Sequence, residues 1–101
     1  MASRKDLHNR LIEILGSKNV YFNPPENMVM EYPCIVYNLE DISPVKADNI
    51  NYLVQHYYNV TLIHPNPVNK IVDAIVDLPY CEFISFYSTD DLNHYRYRIY
   101  Y

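Results

Sequence analysis

The sequence predicts an α+β domain: two helices packed on one face of a mostly antiparallel sheet, in the order α-β-β-β-α-β-β. Three observations carry this expectation. The C-terminal stretch alternates, with Tyr95, Tyr97, Ile99 and Tyr101 on one face of an extended strand and Arg96, Arg98 and Tyr100 on the other. Two segments, 4–15 and 67–78, repeat apolar residues at helical spacing. Between them, 34–40 and 52–63 read as strands, the first with apolar residues on both faces. At 101 residues the chain is one domain, 1–101, with a single modest core.

The elements follow in order. Ser3 is placed to cap the first helix, and Asp6 three residues on completes an acidic variant of the capping box. Leu7, Leu11, Ile14 and Leu15 form its apolar stripe, with Arg4, Lys5, Arg10 and Glu13 on the polar side. Gly16 ends it, so the helix spans 4–15. Val20, Tyr21 and Phe22 form a short strand, stopped by Asn23, Pro24 and Pro25. Met28, Met30 and Tyr32 then skim the core on the way to Pro33 and the strand over 34–40.

Residues 41–51 are polar, with Pro44 and the Asp48-Asn49 pair as loop signals. A loop of this length inside a small domain is functional or flexible. The longest strand covers 52–63, with Val54, His56, Tyr58, Val60 and Leu62 on one face. Gln55, Tyr57, Asn59, Thr61 and Ile63 share the other, more polar face. Asn66 is the expected N-cap of the second helix and Pro67 its first residue. Val68, Ile71, Val72, Ile75 and Val76 form its stripe, and Leu78-Pro79 closes it. A strand over 81–87, a turn over 88–91 and a last strand over 92–101 complete the chain. The last strand runs to the final residue, so it is expected to be stitched into the sheet rather than frayed.

Composition excludes several function classes. One glycine in the chain rules out glycine-rich phosphate loops. A net charge of −4, from eight basic and twelve acidic residues, argues against general nucleic-acid binding. It is compatible with DNA sliding past an acidic wall. Cys34 and Cys81 are too few for a metal framework and read as buried thiols. The N-terminal residues lead into a charged amphipathic helix, with no secretory signal pattern. No apolar run reaches the ~20 residues of a membrane span, so no membrane partner is expected. Twelve tyrosines without a tryptophan fit a sheet former, and they also fit a surface covered in an assembly.

Few groups resemble reaction chemistry. Asp90, Asp91 and His94 lie at turn spacing, where the aspartates can bond the turn's own backbone, and no activated nucleophile accompanies them. His56 and His64 stand eight apart on one strand, roughly 26 Å, too far to share a metal. Glu40, Asp41 and Asp48 have hard-cation chemistry, but a solvated acidic loop is the simpler reading. No catalytic residue, metal or cofactor is therefore assigned. Arg96 and Arg98, interleaved with tyrosines, resemble a single-strand nucleic-acid platform, yet Arg and Tyr are equally the residues of protein–protein hot spots. An acidic chain favours the second.

Several stretches resemble the small tail-completion (tail terminator) proteins of long-tailed bacteriophages. These are Val20-Tyr21-Phe22-Asn23-Pro24-Pro25-Glu26-Asn27 and Met30-Glu31-Tyr32-Pro33-Cys34-Ile35-Val36-Tyr37. Tyr57-Tyr58-Asn59-Val60-Thr61-Leu62-Ile63, Leu78-Pro79 and Asp91-Leu92-Asn93-His94 complete the set, which spans nearly the whole chain. The resemblance implies a structural virion protein and no enzyme. It implies a homo-hexameric ring that caps the tail tube, docks to the head-side connector (stopper) protein and lets double-stranded DNA pass without specific binding. Its location would be the tail or neck of the virion, and the host cytoplasm during assembly. On that resemblance the loop reaches toward a neighbour or the tube, and the Arg and Tyr residues of the last strand are expected to make the other subunit or partner contact. The residues are Glu40, Asp41, Pro44, Lys46, Asp48, Asn49, Tyr52, Arg96, Arg98, Tyr100 and Tyr101, with Glu40, Asp41 and Asp48 as the channel-lining set. The alternatives are a small protein-binding module and a head-completion (neck) protein with no tail-capping role.

Overall fold

Leu7, Leu11 and Leu15 stand four apart in the sequence, and in a computed structural model of the chain all three are buried on one side of a helix. The structure describes residues 4–47, 50–67 and 69–101. The helix is α1 (Arg4–Leu15), with the bounds the sequence predicts. Gly16 ends it at a φ of 78°, its amide donating to the Ile12 carbonyl at 2.9 Å. Only glycine takes that conformation without strain. The expected capping role of Ser3 lies outside the described residues.

After α1 come β1 (Val20–Phe22), β2 (Cys34–Ala47), β3 (Ile50–His64), α2 (Lys70–Val76), β4 (Cys81–Thr89) and β5 (Leu92–Tyr100). The α-β-β-β-α-β-β order and the α+β class are as expected. The strands form one sheet ordered β1-β2-β3-β5-β4. β1 is parallel to β2, and the other neighbours are antiparallel. β5 sits between β3 and β4, which explains its alternation. Tyr95, Tyr97 and Ile99 are buried with Tyr58, Val60, Leu62, Ile35 and Tyr37 in the core that the helices cover, while Arg96 is exposed on the other face. Burying each such side chain contributes roughly 1.5–3 kcal/mol.

The first correction concerns 41–51. No loop is found over the described part of this stretch: β2 runs to Ala47 and β3 starts at Ile50, paired from Ala47↔Ile50 inwards. Asp48 and Asn49 lie outside the described residues. β1 pairs with β2 only at 35–37, and β5 pairs with β3 only over 57–64. The remainder of the β2–β3 hairpin is therefore a two-stranded arm beyond the body of the sheet, in a molecule 51 Å along its longest axis. Pro44 is tolerated there because its strand has a neighbour on one side only. Polar residues and a proline are depleted in strands, so from sequence this stretch of the hairpin reads as a loop.

The second correction concerns α2. Its N-cap is Asn69, whose side chain accepts from the Val72 amide at 3.2 Å, and not Asn66. Residues 65–67 stay non-helical, with β5 holding the carbonyls of Pro65 and Pro67 while Asn69 Nδ2 donates to that of Asn66 at 2.9 Å. Asn93 Nδ2 donates to the His64 and Pro65 carbonyls at 3.1 and 3.3 Å, and the Tyr95 hydroxyl donates to that of Pro67 at 2.5 Å. The helix that remains has seven residues and buries Ile75, with Leu78 buried just beyond it. Val76, expected in the stripe, is exposed, and Val68 lies outside the described residues. Met28 and Tyr32 are exposed rather than against the core. Cys34 is buried as expected, whereas Cys81 is half-buried at the start of the edge strand.

Candidate functional site

Glu40 is the extra residue of a β-bulge. Leu39 pairs with Tyr58 and Asp41 with Tyr57, leaving Glu40 without a partner of its own across β3. A bulge bends its strand and re-aims a side chain. Here the Glu40 carboxylate reaches across β3 to β5, where Arg98 Nε donates to its Oε2 at 2.9 Å. The Arg98 guanidinium also lies over the Tyr57 ring, 4.5 Å from its centroid. Tyr100 packs against Tyr57 and Tyr80, with ring centroids at 5.2 and 5.5 Å. Two groups singled out separately in the sequence, Glu40 and the Arg98–Tyr100 pair, thus meet at the root of the arm. Tyr57 is the residue that joins them, and its place on the polar face of its strand was the only sequence signal for it.

The other selected residues are placed as follows. Asp41 is exposed and turned to its own backbone, Oδ1 accepting from the Ile42 amide at 2.8 Å. Pro44 and Lys46 are on the β2 side of the arm, paired with Val54 and Asn51. Tyr52 is the bulged residue on the β3 side, between the partners of Val45 and Lys46. Arg96 is exposed and lies beside Thr61 and Ser85. The Tyr101 amide donates to the His56 carbonyl at 3.0 Å, and its side chain packs against the core. Of the channel-lining set, Glu40 and Asp41 sit together at the arm root and Asp48 lies outside the described residues.

The groups weighed for chemistry are dispersed. Asp90 and Asp91 are the two central residues of the β4–β5 hairpin, both at positive φ, as a tight two-residue turn requires. His94 stacks on Tyr87 at 4.5 Å with the rings 10° from parallel, and its Nδ1 is buried without a hydrogen-bond partner. His64 Nδ1 accepts from the Asn66 amide at 2.9 Å. Among the described residues no group of three His, Cys, Asp or Glu side chains is close enough to hold a metal ion. No described helix is long and apolar enough to cross a membrane.

Burial shapes the titratable groups. It pushes the thiols of Cys34 and Cys81 up to about 11, which makes both poor nucleophiles. It raises the hydroxyls of Tyr95 and Tyr97, the latter donating to the Val72 carbonyl at 3.3 Å. Tyr37 is the most connected of the buried phenols. Arg4 Nη1 donates to its oxygen at 3.1 Å, and His8 Nδ1 lies 2.7 Å from it. Burial, then the neighbouring Arg4 charge, lowers the His8 pKa. Arg4 also covers the Phe22 ring at 4.4 Å, so a residue expected on the polar side clamps α1 to β1 and β2.

The sequence reasoning missed one surface. β4 is the edge of the sheet, and Phe83, Ile84, Phe86 and Tyr87 are each 45–49% exposed along it. Phe83 and Phe86 lean on Tyr97 and Tyr95, with centroids at 5.6 and 5.0 Å. Ile84 is bulged out between the residues that pair with Tyr97 and Arg96. The available signal was the strand's own composition, Glu82 being the one charge in nine residues. No known family model matches the chain, and no curated protein sequence matches it.

Proposed function

We propose that this chain is a structural virion protein, a tail terminator or completion protein that forms a ring. The ring caps the tail tube, meets the head-side connector protein and leaves a channel for double-stranded DNA. The observation that supports this reading best is the β2–β3 arm, which extends from a small α+β body of the element order expected from the resemblance. A two-stranded ribbon is marginal by itself in water, so an arm of this kind is suited to a chain that is completed by its neighbours. The aromatic and ionic cluster at its root, Glu40, Tyr57, Arg98 and Tyr100, fixes the arm's exit from the sheet. On this reading the protein acts in the neck of the virion, and in the host cytoplasm while tails assemble.

The test is to add the purified chain to polymerising tail-tube protein from the genes beside its own. Growth should stop, and electron microscopy should show a ring at one tube end. Tubes of unchanged length without an end structure would refute the tail reading.

A further inference from the structure

Among the described residues there are four stretches of unpaired strand edge, and they differ in how they are guarded. β1 is three residues long and is followed by Pro24-Pro25. The β2 strand beyond its pairing with β1 includes Glu40, Asp41, Pro44 and Lys46 in its sequence. Short length, charge and proline are the usual protections against strand addition. The other two edges have no proline and at most one charge, and their one guard is a bulge each, at Ile84 and at Tyr52. β4 presents nine residues with a single charge, Glu82, at one end, and no proline. The β3 arm strand over 50–55, beyond the residues that pair with β5, is Ile-Asn-Tyr-Leu-Val-Gln, with neither charge nor proline.

We infer that these two edges are the two halves of one contact: the β3 arm strand of one copy adds to the β4 edge of a second copy. Within one chain they cannot meet, because β5 lies between β3 and β4 throughout the paired region. The lengths are compatible, since six donor residues span about 20 Å of the nine-residue acceptor. Charge selects the same partner. The chain is −4 overall, and this contact sets an uncharged strand against one with a single acid at its end, so the pairing adds little like-charge repulsion between copies. Main-chain hydrogen bonds would supply the pairing, and the half-exposed Phe83, Ile84, Phe86 and Tyr87 would lose water on it. Because donor and acceptor are different patches, the contact is heterologous, and repetition closes a ring or extends a fibre. The closed form rests on the ring reading above; the contact itself does not.

The test is cross-linking of the full chain at high concentration, with Cys81→Ser removing the half-buried edge thiol. Val54→Cys and Ile84→Cys are introduced singly and together, and a short dithiol-reactive linker is added. Ile84 has no partner on β5, so its replacement removes no pairing within the chain. On a denaturing gel the double variant should give a ladder of dimers, trimers and higher species, and each single variant should run as the uncross-linked monomer. A dimer from Ile84→Cys alone would show β4 pairing with itself and overturn the proposal. A double variant that does not cross-link overturns it as well. A ladder from a chain that fails to stop tube growth leaves the contact standing and removes the tail role. Capped tubes from a chain without a ladder do the opposite.

Discussion

The ion pair between Glu40 and Arg98 ties the arm to the sheet, and its strength follows from the geometry. Unit charges about 4 Å apart attract by about 1 kcal/mol in water and about 4 kcal/mol at an effective dielectric near 20. Both side chains are about a third exposed, at 35% and 36%, so solvent screening and lost rotamer freedom reduce this to about 0.2–1 kcal/mol. The Tyr57 ring under the guanidinium adds about 0.5–1 kcal/mol. Arg98→Ala should therefore cost about 1–2 kcal/mol, and Glu40→Gln at most about 1 kcal/mol. A double-mutant cycle by urea denaturation should give a coupling of about 0.5–1 kcal/mol that shrinks in 1 M salt, where the screening length is about 3 Å. A coupling above about 2 kcal/mol would mean a dry pair, contrary to the exposure. No coupling at low salt would mean that the bulge does not aim Glu40 at Arg98, and the account of the arm's root would fall.

Other outcomes follow from the core and from burial. Leu11→Ala removes a fully buried side chain between α1 and the sheet and should lower stability by about 2–5 kcal/mol in chemical denaturation; a loss below 1 kcal/mol would place α1 outside the cooperative unit. His8 and His64 both have folded-state pKa values lowered by burial, so the unfolded chain takes up their protons first. Their contribution is complete above the unfolded value near 6.5 and is lost as pH falls below it through the folded values. The urea midpoint should drop over that window, and less so in His8→Gln; an identical pH profile for the variant would contradict the burial of that ring. With both thiols at about 11, a thiol reagent at pH 7 should react slowly with the native chain and rapidly once urea unfolds it, and fast native labelling would refute that assignment.

Local sequence carried the elements whose reasons are local. The leucine spacing and Gly16 give the buried face and the C-terminal end of α1, and the alternation of β5 gives its two faces because β5 separates core from solvent along its whole length. The cap of α2 was not legible in this way. Asn66 before Pro67 and Asn69 before Lys70 are both acceptable caps, and the choice is made by Asn93 and Tyr95 from a strand more than twenty residues later. The candidate site was half legible. Arg98, Tyr100 and Glu40 each stood out, but their meeting depends on a bulge and on the strand order, and neither is written in any one segment. Strand order likewise makes β4 an edge, so its exposed aromatics became informative only in the sheet.

The arm is the case in which composition misled, and the physical reason yields a further test. Strand propensity measures fit to a pleated, half-buried surface, and a ribbon beyond the sheet has no such surface to fit. Its pairing is then held by backbone bonds and by whatever covers it. The body has a core of its own on these two strands, in which Ile35, Tyr37, Tyr58, Val60 and Leu62 are buried. Joining Ile42 to His56 through an Asn-Gly turn keeps Glu40, Tyr57 and Arg98 and removes 43–55. The shortened chain should unfold cooperatively within about 2 kcal/mol of the parent, because it loses none of those core contacts. It should also fail to multimerise at concentrations where the parent does. A shortened chain that still multimerises would transfer assembly to the body of the domain. A shortened chain that does not fold would mean that the arm's pairing is part of the fold itself, and the division between body and arm would have to be abandoned.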